Sequence, residues 1–189
     1  MTTTTVYFDT ETTGLSAAKG DEIVEIAIID DEGKTLLESF VRPLKKTSWP
    51  EAEKIHGISP EMVKDAPTLP ELVSLLIGHF QDKCVVIYNA SYDMAFMPPV
   101  VRNAPASVDC AMQRFAEHYG DFSEYHNTYT WQPLARAARY VHHEWQGTAH
   151  RALADAHAAR AVWRYLRDQD ERERVDALRA DAAQSELAR

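Results

Sequence analysis

Residues 3–8 open the chain as a β-branched and aromatic run, Thr3-Thr4-Thr5-Val6-Tyr7-Phe8, a composition that predicts a strand. Thr12-Thr13-Gly14 is the turn expected to end it. Residues 23–29 form a second apolar run, too short and too β-branched for a helix. Asp31-Glu32-Gly33 then predicts a hairpin, and residues 35–41 return as a third strand. Farther on the period changes, with Leu72, Val73, Leu75, Leu76 and Phe80 at helical spacing over residues 70–80. Residues 84–88 predict a short buried strand, and 92–101 a helix that Pro98-Pro99 must break or kink. Val108 marks a short edge strand, while 111–119 and 131–141 predict two more helices. The alanine-rich segment 150–167 predicts a helix whose small side chains let it lie close against a sheet. Three antiparallel strands followed by alternating helices and strands imply an α/β fold, a mixed sheet with helices on its faces.

The chain is long enough for one domain with a proper core, expected over residues 1–167. Residues 168–189 are mostly charged residues, alanine and leucine, and predict a solvated helix or frayed end. No run of eighteen apolar residues occurs, so no membrane span is expected. Residues 1–5 carry neither a basic region nor an apolar stretch, so no signal peptide is expected there. Cys84 and Cys110 sit among apolar neighbours and are expected to be buried, reduced thiols of a cytoplasmic protein. The formal charge of -9 argues against a broad, non-specific grip on duplex nucleic acid. It leaves open a site built from carboxylates, which is acidic until cations bind.

Such a site has candidates. Asp9 and Glu11 are alternate residues of the first strand and point to one side of it. Two carboxylates ~4 Å apart at an effective dielectric of ~20 repel by about 4 kcal/mol, which a hard divalent cation with oxygen ligands relieves. Read alone, the pair is a polar strand end. Asp93 follows the strand at 84–88, and alone it is an acid favoured by a helix N-terminus. His150 and Asp155 are five positions apart, about 140° on a helix, so they cannot share a helical face. His150 belongs on the loop before the helix, where an imidazole can accept a proton from water at neutral pH. Alone it reads as a surface histidine.

Together the segments Phe8-Asp9-Thr10-Glu11-Thr12-Thr13-Gly14-Leu15, Ile55-His56-Gly57-Ile58, Asn89-Ala90-Ser91-Tyr92-Asp93-Met94-Ala95-Phe96-Met97 and His150-Arg151-Ala152-Leu153-Ala154-Asp155-Ala156 resemble the DEDDh exonucleases, typified by the proofreading subunit of bacterial DNA polymerase III. The resemblance runs over residues 6–166. It implies a ribonuclease-H-like five-stranded sheet and 3′→5′ hydrolysis of a single-stranded or frayed nucleic-acid end with two Mg²⁺ or Mn²⁺ ions. It implies Asp9, Glu11 and Asp155 on the first metal, Asp9 bridging to the second, Asp93 supporting both directly or through water, and His150 as general base. Thr12, Gly14, Leu15, Ile55, His56 and Phe96 are implied to line the pocket for the terminal nucleotide, with a turn role open for His56 and a core role for Phe96. Gly14 is expected to let a ligand approach the backbone. Tyr88 stands where the family often has histidine. His142 and His143 read as loop residues and His157 as a helix-face residue. DNA and RNA both remain open as substrates, as do an idle strand-end binding module and a tail that recruits a protein partner or mediates self-association.

Overall fold

Alternation along the first strand decides what lies on each face of the sheet. The computed structural model describes residues 4–187; residue 3 of the first predicted strand and residues 188–189 of the tail lie outside them. Five strands form the sheet: β1 (Thr5–Thr12), β2 (Ile23–Asp30), β3 (Thr35–Phe40), β4 (Cys84–Ile87) and β5 (Ser107–Cys110), in the order β3-β2-β1-β4-β5. β2 runs antiparallel to β1 and β3, whereas β4 is parallel to β1 and β5. The helices are α1 (Pro50–His56), α2 (Pro60–Val63), α3 (Leu69–Phe80), α4 (Ala90–Phe96), α5 (Pro99–Arg102), α6 (Ala111–Tyr119), α7 (Leu134–Tyr140), α8 (Ala152–Arg167) and α9 (Gln169–Leu187). A small hairpin, β6 (Phe122–Ser123) and β7 (Thr128–Tyr129), joins α6 to α7.

One face of the sheet presents Tyr7, Ala27, Ile29 and Val86 to α8. Ala152, Ala156 and Ala159 are fully buried there, and their lack of bulk allows the close approach that the sequence predicts. The other face presents Val6, Phe8, Ile26, Ile28, Val85 and Ile87 to α3 and to Phe96 and Val101. A side cluster of Val24, Trp49, Ile58 and Val63 closes the β2 flank, with Trp49 Nε1 donating to the Ile58 carbonyl at 2.7 Å. This region, α1 and α2, has no counterpart among the predicted elements.

Prolines account for two helix boundaries. The helix predicted over 92–101 splits into α4 and α5 because Met97, ahead of Pro98, is extended (φ −80°, ψ 142°). The helix predicted over 131–141 begins only at Leu134, after Pro133 at its N-cap, and residues 122–129 form the unpredicted hairpin instead. Cys84 and Cys110 are free but half-buried rather than buried, their thiols donating to Asp109 Oδ2 at 3.2 Å and to the Tyr88 carbonyl at 3.3 Å.

The tail is a helix, one of its two expected forms, with more contact to the domain than a solvated helix implies. α9 is docked along one side: Val175 is fully buried in the α8 core, and Asp176 accepts the Tyr165 hydroxyl at 3.0 Å. Arg172 donates to the carbonyls of Tyr165 and Leu166, and Arg179 lies 3.7 Å from the Tyr140 ring centroid. Ending the chain at Asp168 is therefore expected to lower the melting temperature. Val175 alone contributes about 1.5–3 kcal/mol of burial, and at roughly 2–4 °C per kcal/mol a drop of at least about 3 °C should appear in a thermal melt. An unchanged melting temperature would show α9 to be dispensable. No helix among the described residues is long and apolar enough to cross a membrane.

Candidate active site

Asp9 and Glu11 continue the face of β1 that Tyr7 begins, so both carboxylates point toward α8. Asp155 stands in the first turn of that helix. Ligand oxygens from Asp9, Glu11 and Asp155 all lie within 4.8 Å of one another. β1 runs through Thr12, where the expected turn begins, and its last residues hold Glu11 opposite Glu25 of β2. His150 precedes the N-cap Arg151. Its N–H donates to Asp155 Oδ1 at 3.1 Å, and its backbone is left-handed (φ 63°). The loop placement expected for His150 is the one observed.

Asp93 reaches the site from the other face. It sits in the first turn of α4, 3% exposed, and its Oδ1 accepts the Thr10 hydroxyl at 2.7 Å and the Thr10 N–H at 3.1 Å. Thr10 points away from Asp9 and Glu11 by strand alternation. Asp93 therefore flanks the trio of carboxylates and is not one of the three that converge within 4.8 Å.

The cluster is electrostatically strained without a cation. Burial, reinforced by Asp93, Asp155, Glu11 and Glu25, holds the Asp9 carboxyl well above the usual carboxylate range. Glu11 is pushed up to about 8, by burial first and then by Asp155, Glu25 and Asp93. Burial pushes Asp93 up to about 7 against its bonds from Thr10, and Asp155 up to about 6 against the bond from His150. Three clustered oxygen donors that resist ionisation together suit hard divalent cations such as Mg²⁺ or Mn²⁺, which supply the missing positive charge.

Beside the acids lies an apolar depression of about 330 Å³ lined by Thr13, Gly14, Leu15, Trp49, Ala52 and Ile55. Leu15 (85% exposed) and Ile55 (61%) stand open to it. A second depression on the other side of Leu15 is bounded by Ser16, Asn89, Tyr92 and Phe96. Thr12 and His56 are tied into the frame beside these depressions. Thr12 is buried, its hydroxyl bonded to the Gly14 carbonyl at 2.7 Å and to the Tyr92 hydroxyl at 2.6 Å. His56 Nδ1 accepts the Ile58 N–H at 3.0 Å, which puts the proton on Nε2, 3.2 Å from the Thr12 carbonyl. Both ring nitrogens are thus used, and burial pushes the imidazole pKa down. Phe96 belongs to the core and tilts against Tyr92 at 5.2 Å. Gly14 lines the first depression, and a Cβ there would lie 2.6 Å from the Asp21 carboxylate, which is held by the Ser16 N–H and Lys46. His142 and His143 follow α7 in a turn and loop, and His157 lies on α8.

Sequence reasoning passed over Thr10, Tyr92, Glu25 and Arg151. Only Glu25 carried a signal, as the single charge inside the apolar run 23–29.

Comparison with known proteins agrees with this architecture. The RNase_T family, described as exonuclease, matches residues 6–163. An uncharacterised exonuclease, CP81, of Escherichia phage 186 is 37% identical over 163 residues, 79% of this chain and 81% of that protein. DNA polymerase III subunit epsilon of Rickettsia prowazekii is 35% identical over 96 residues, 49% of this chain and 42% of that longer protein. Among solved structures, exonuclease X in complex with 5′ overhanging duplex DNA superposes with a TM-score of 0.65 at 24% identity, covering 86% of this chain and 90% of its own. The zinc-bound complex of E. coli exonuclease I with single-stranded DNA gives 0.70 at 18% identity, covering 92% and 42%. These two establish the ribonuclease-H-like fold, and with the family match over most of its length the chain belongs to the RNase_T exonuclease family.

Proposed function

We propose that this exonuclease works 3′→5′, removing nucleoside 5′-monophosphates from single-stranded or frayed DNA ends with divalent metal ions. The observation that carries the reading is the convergence of Asp9, Glu11 and Asp155, with the backbone of His150 tied to Asp155 itself. In this reading Asp9, Glu11 and Asp155 would hold the Mg²⁺ or Mn²⁺ ions, with Asp9 serving both of a pair and Asp93 supporting them from across β1. Bound there, the cations supply charge neutralisation at the attacking and leaving oxygens of the phosphoryl group. His150 takes a proton from water as the water oxygen bonds to phosphorus and the bond to the O3′ of the penultimate nucleotide breaks. Leu15 and Ile55 offer apolar surface to the terminal nucleotide, while Thr12, His56 and Tyr92 hold the loop that carries Leu15. DNA is favoured over RNA because the relatives above include a DNA polymerase subunit and complexes with DNA.

The test is digestion of end-labelled oligonucleotides of DNA and RNA, single- and double-stranded, in Mg²⁺ or Mn²⁺. A 5′-labelled single strand of DNA is expected to shorten stepwise, a 3′ label to leave at once as a mononucleotide, and chelation to stop both. Early release of a 5′-terminal mononucleotide would reverse the polarity, and faster loss of RNA would reverse the substrate.

A further inference from the structure

We propose that Glu25 and Arg151 form a clasp that positions His150, making both residues positioning groups for the proton-transfer step. The inference rests on His150 being the base of the proposed reaction. Glu25 lies on β2 directly opposite Glu11, on the same face, with its side chain 2% exposed. It is nonetheless not one of the three converging carboxylates, and both of its oxygens are already engaged. Oε1 accepts Arg151 Nη2 at 2.5 Å and Nε at 3.1 Å; Oε2 accepts Nε at 3.1 Å and the Ala152 N–H at 2.9 Å. The guanidinium also lies 5.4 Å from the Phe40 ring centroid. One buried carboxylate thus grips both a side chain and a main-chain N–H at the very start of α8, 126 residues farther along the chain.

The residue just before this grip is His150, whose φ of 63° lies in the left-handed region that few non-glycine residues adopt. Two constraints hold it there. Asp155 Oδ1 takes the His150 N–H from the helix side, and the clasp fixes residues 151 and 152, which set the direction in which the chain enters the helix. With the clasp gone, His150 is free to relax toward negative φ, which would redirect its side chain relative to Asp155. α8 itself has other support, since Ala152, Ala156, Ala159, Val162 and Trp163 are packed in the core. The clasp is therefore not the sole support of the helix. Its chemistry also asks for arginine rather than lysine, because only a planar fork reaches both oxygens of one carboxylate.

The experiment compares Arg151→Met, Arg151→Lys and Glu25→Gln with the parent in three readouts: kcat and KM on a labelled single strand, Mn²⁺ affinity by calorimetry, and amide hydrogen exchange of His150 by NMR. Arg151→Met is expected to lower kcat by about 10–100-fold, part of the ~10²–10⁴-fold that a positioned base contributes. KM and Mn²⁺ affinity should stay within about threefold, well under the 10–100-fold metal-affinity losses seen when groups supporting ligands are removed. His150 exchange should rise at least about tenfold, the release of roughly 1.4 kcal/mol of local protection. Arg151→Lys should recover part of kcat, and Glu25→Gln, which keeps its shape and one acceptor, should fall between. Unchanged His150 exchange in Arg151→Met overturns the clasp. So does a loss of Mn²⁺ affinity in step with kcat, which would make the pair a support for the metal seat instead. A parent protein that digests no strand would sink the proposed function, while the exchange measurement would still decide the clasp.

Discussion

Asp9→Ala is expected to lower digestion of a 3′-labelled strand by at least about 10³-fold in Mg²⁺. A bound metal provides several kcal/mol of transition-state charge stabilisation, and each 1.36 kcal/mol is a factor of about ten in rate. The more discriminating half of the expectation concerns stability. Asp9 is buried among Glu11, Asp93 and Asp155, and its ionisation is opposed by all of them. Removing it from the metal-free protein takes away repulsion and leaves only a small cavity, so Asp9→Ala should melt no lower than the metal-free parent at pH 8. Loss of activity together with loss of fold would point instead to an ordinary core residue. His150→Ala provides the contrast. It leaves all three converging carboxylates in place, so Mn²⁺ should bind as before while the rate falls by about 10²–10⁴-fold. Undiminished digestion by either variant would remove the corresponding group from the mechanism.

What the sequence disclosed and what it withheld divide along the range of the interactions. That Asp9 and Glu11 share a face follows from the two-residue period of a strand, and that His150 must lie off the helix holding Asp155 follows from 3.6 residues per turn. The alanines of α8 announce close packing by their size alone. All of these are local periodicities. Asp93 shows the limit: its approach from the α4 face, held by Thr10 across 83 positions, depends on which elements flank β1, and nothing near either residue encodes that. Glu25 was visible as an oddity, a charge inside an apolar strand, but its partner Arg151 was not. At Gly14 the Asp21 carboxylate leaves no room for a Cβ, a constraint that the residues beside Gly14 do not announce. The hairpin β6–β7, with two-residue strands, and the short α1 and α2 carry too few residues for a period to show. Their place is set by tertiary contacts such as Trp49 with Ile58.

Metal and pH should act on stability in opposition, and the acid cluster predicts the direction of each. In the unfolded chain these carboxyls titrate near ~3.9–4.3, whereas in the fold Glu11 is pushed up to about 8, Asp93 to about 7 and Asp155 to about 6. Through that interval the folded state holds protons that the unfolded state has released, so the cluster's contribution to stability is complete below about pH 4 and is lost progressively from there as pH rises through 6 to 8. Histidines pushed down by burial, among them His56, His118 and His143, work in the opposite sense over part of the same range. Glu11→Gln carries the same histidines, so its difference from the parent isolates the cluster. Without metal, Glu11→Gln should melt furthest above the parent at pH 8.5, by a smaller margin at pH 5.5, and close to it only near about pH 4, where the unfolded carboxyl also keeps its proton. Cations replace the missing protons, so at pH 8 a Mg²⁺ or Mn²⁺ concentration of 100 Kd should stabilise the parent by about 2.7 kcal/mol, or roughly 5–10 °C. The gain should shrink toward pH 5.5, where protons must first be displaced from the ligands. It should be smallest in Glu11→Gln, whose neutral amide gives the cation less to neutralise. A metal-free parent that melts above Glu11→Gln at pH 8.5, or a metal shift that grows as pH falls, would mean that these carboxylates do not repel one another as their burial and spacing require.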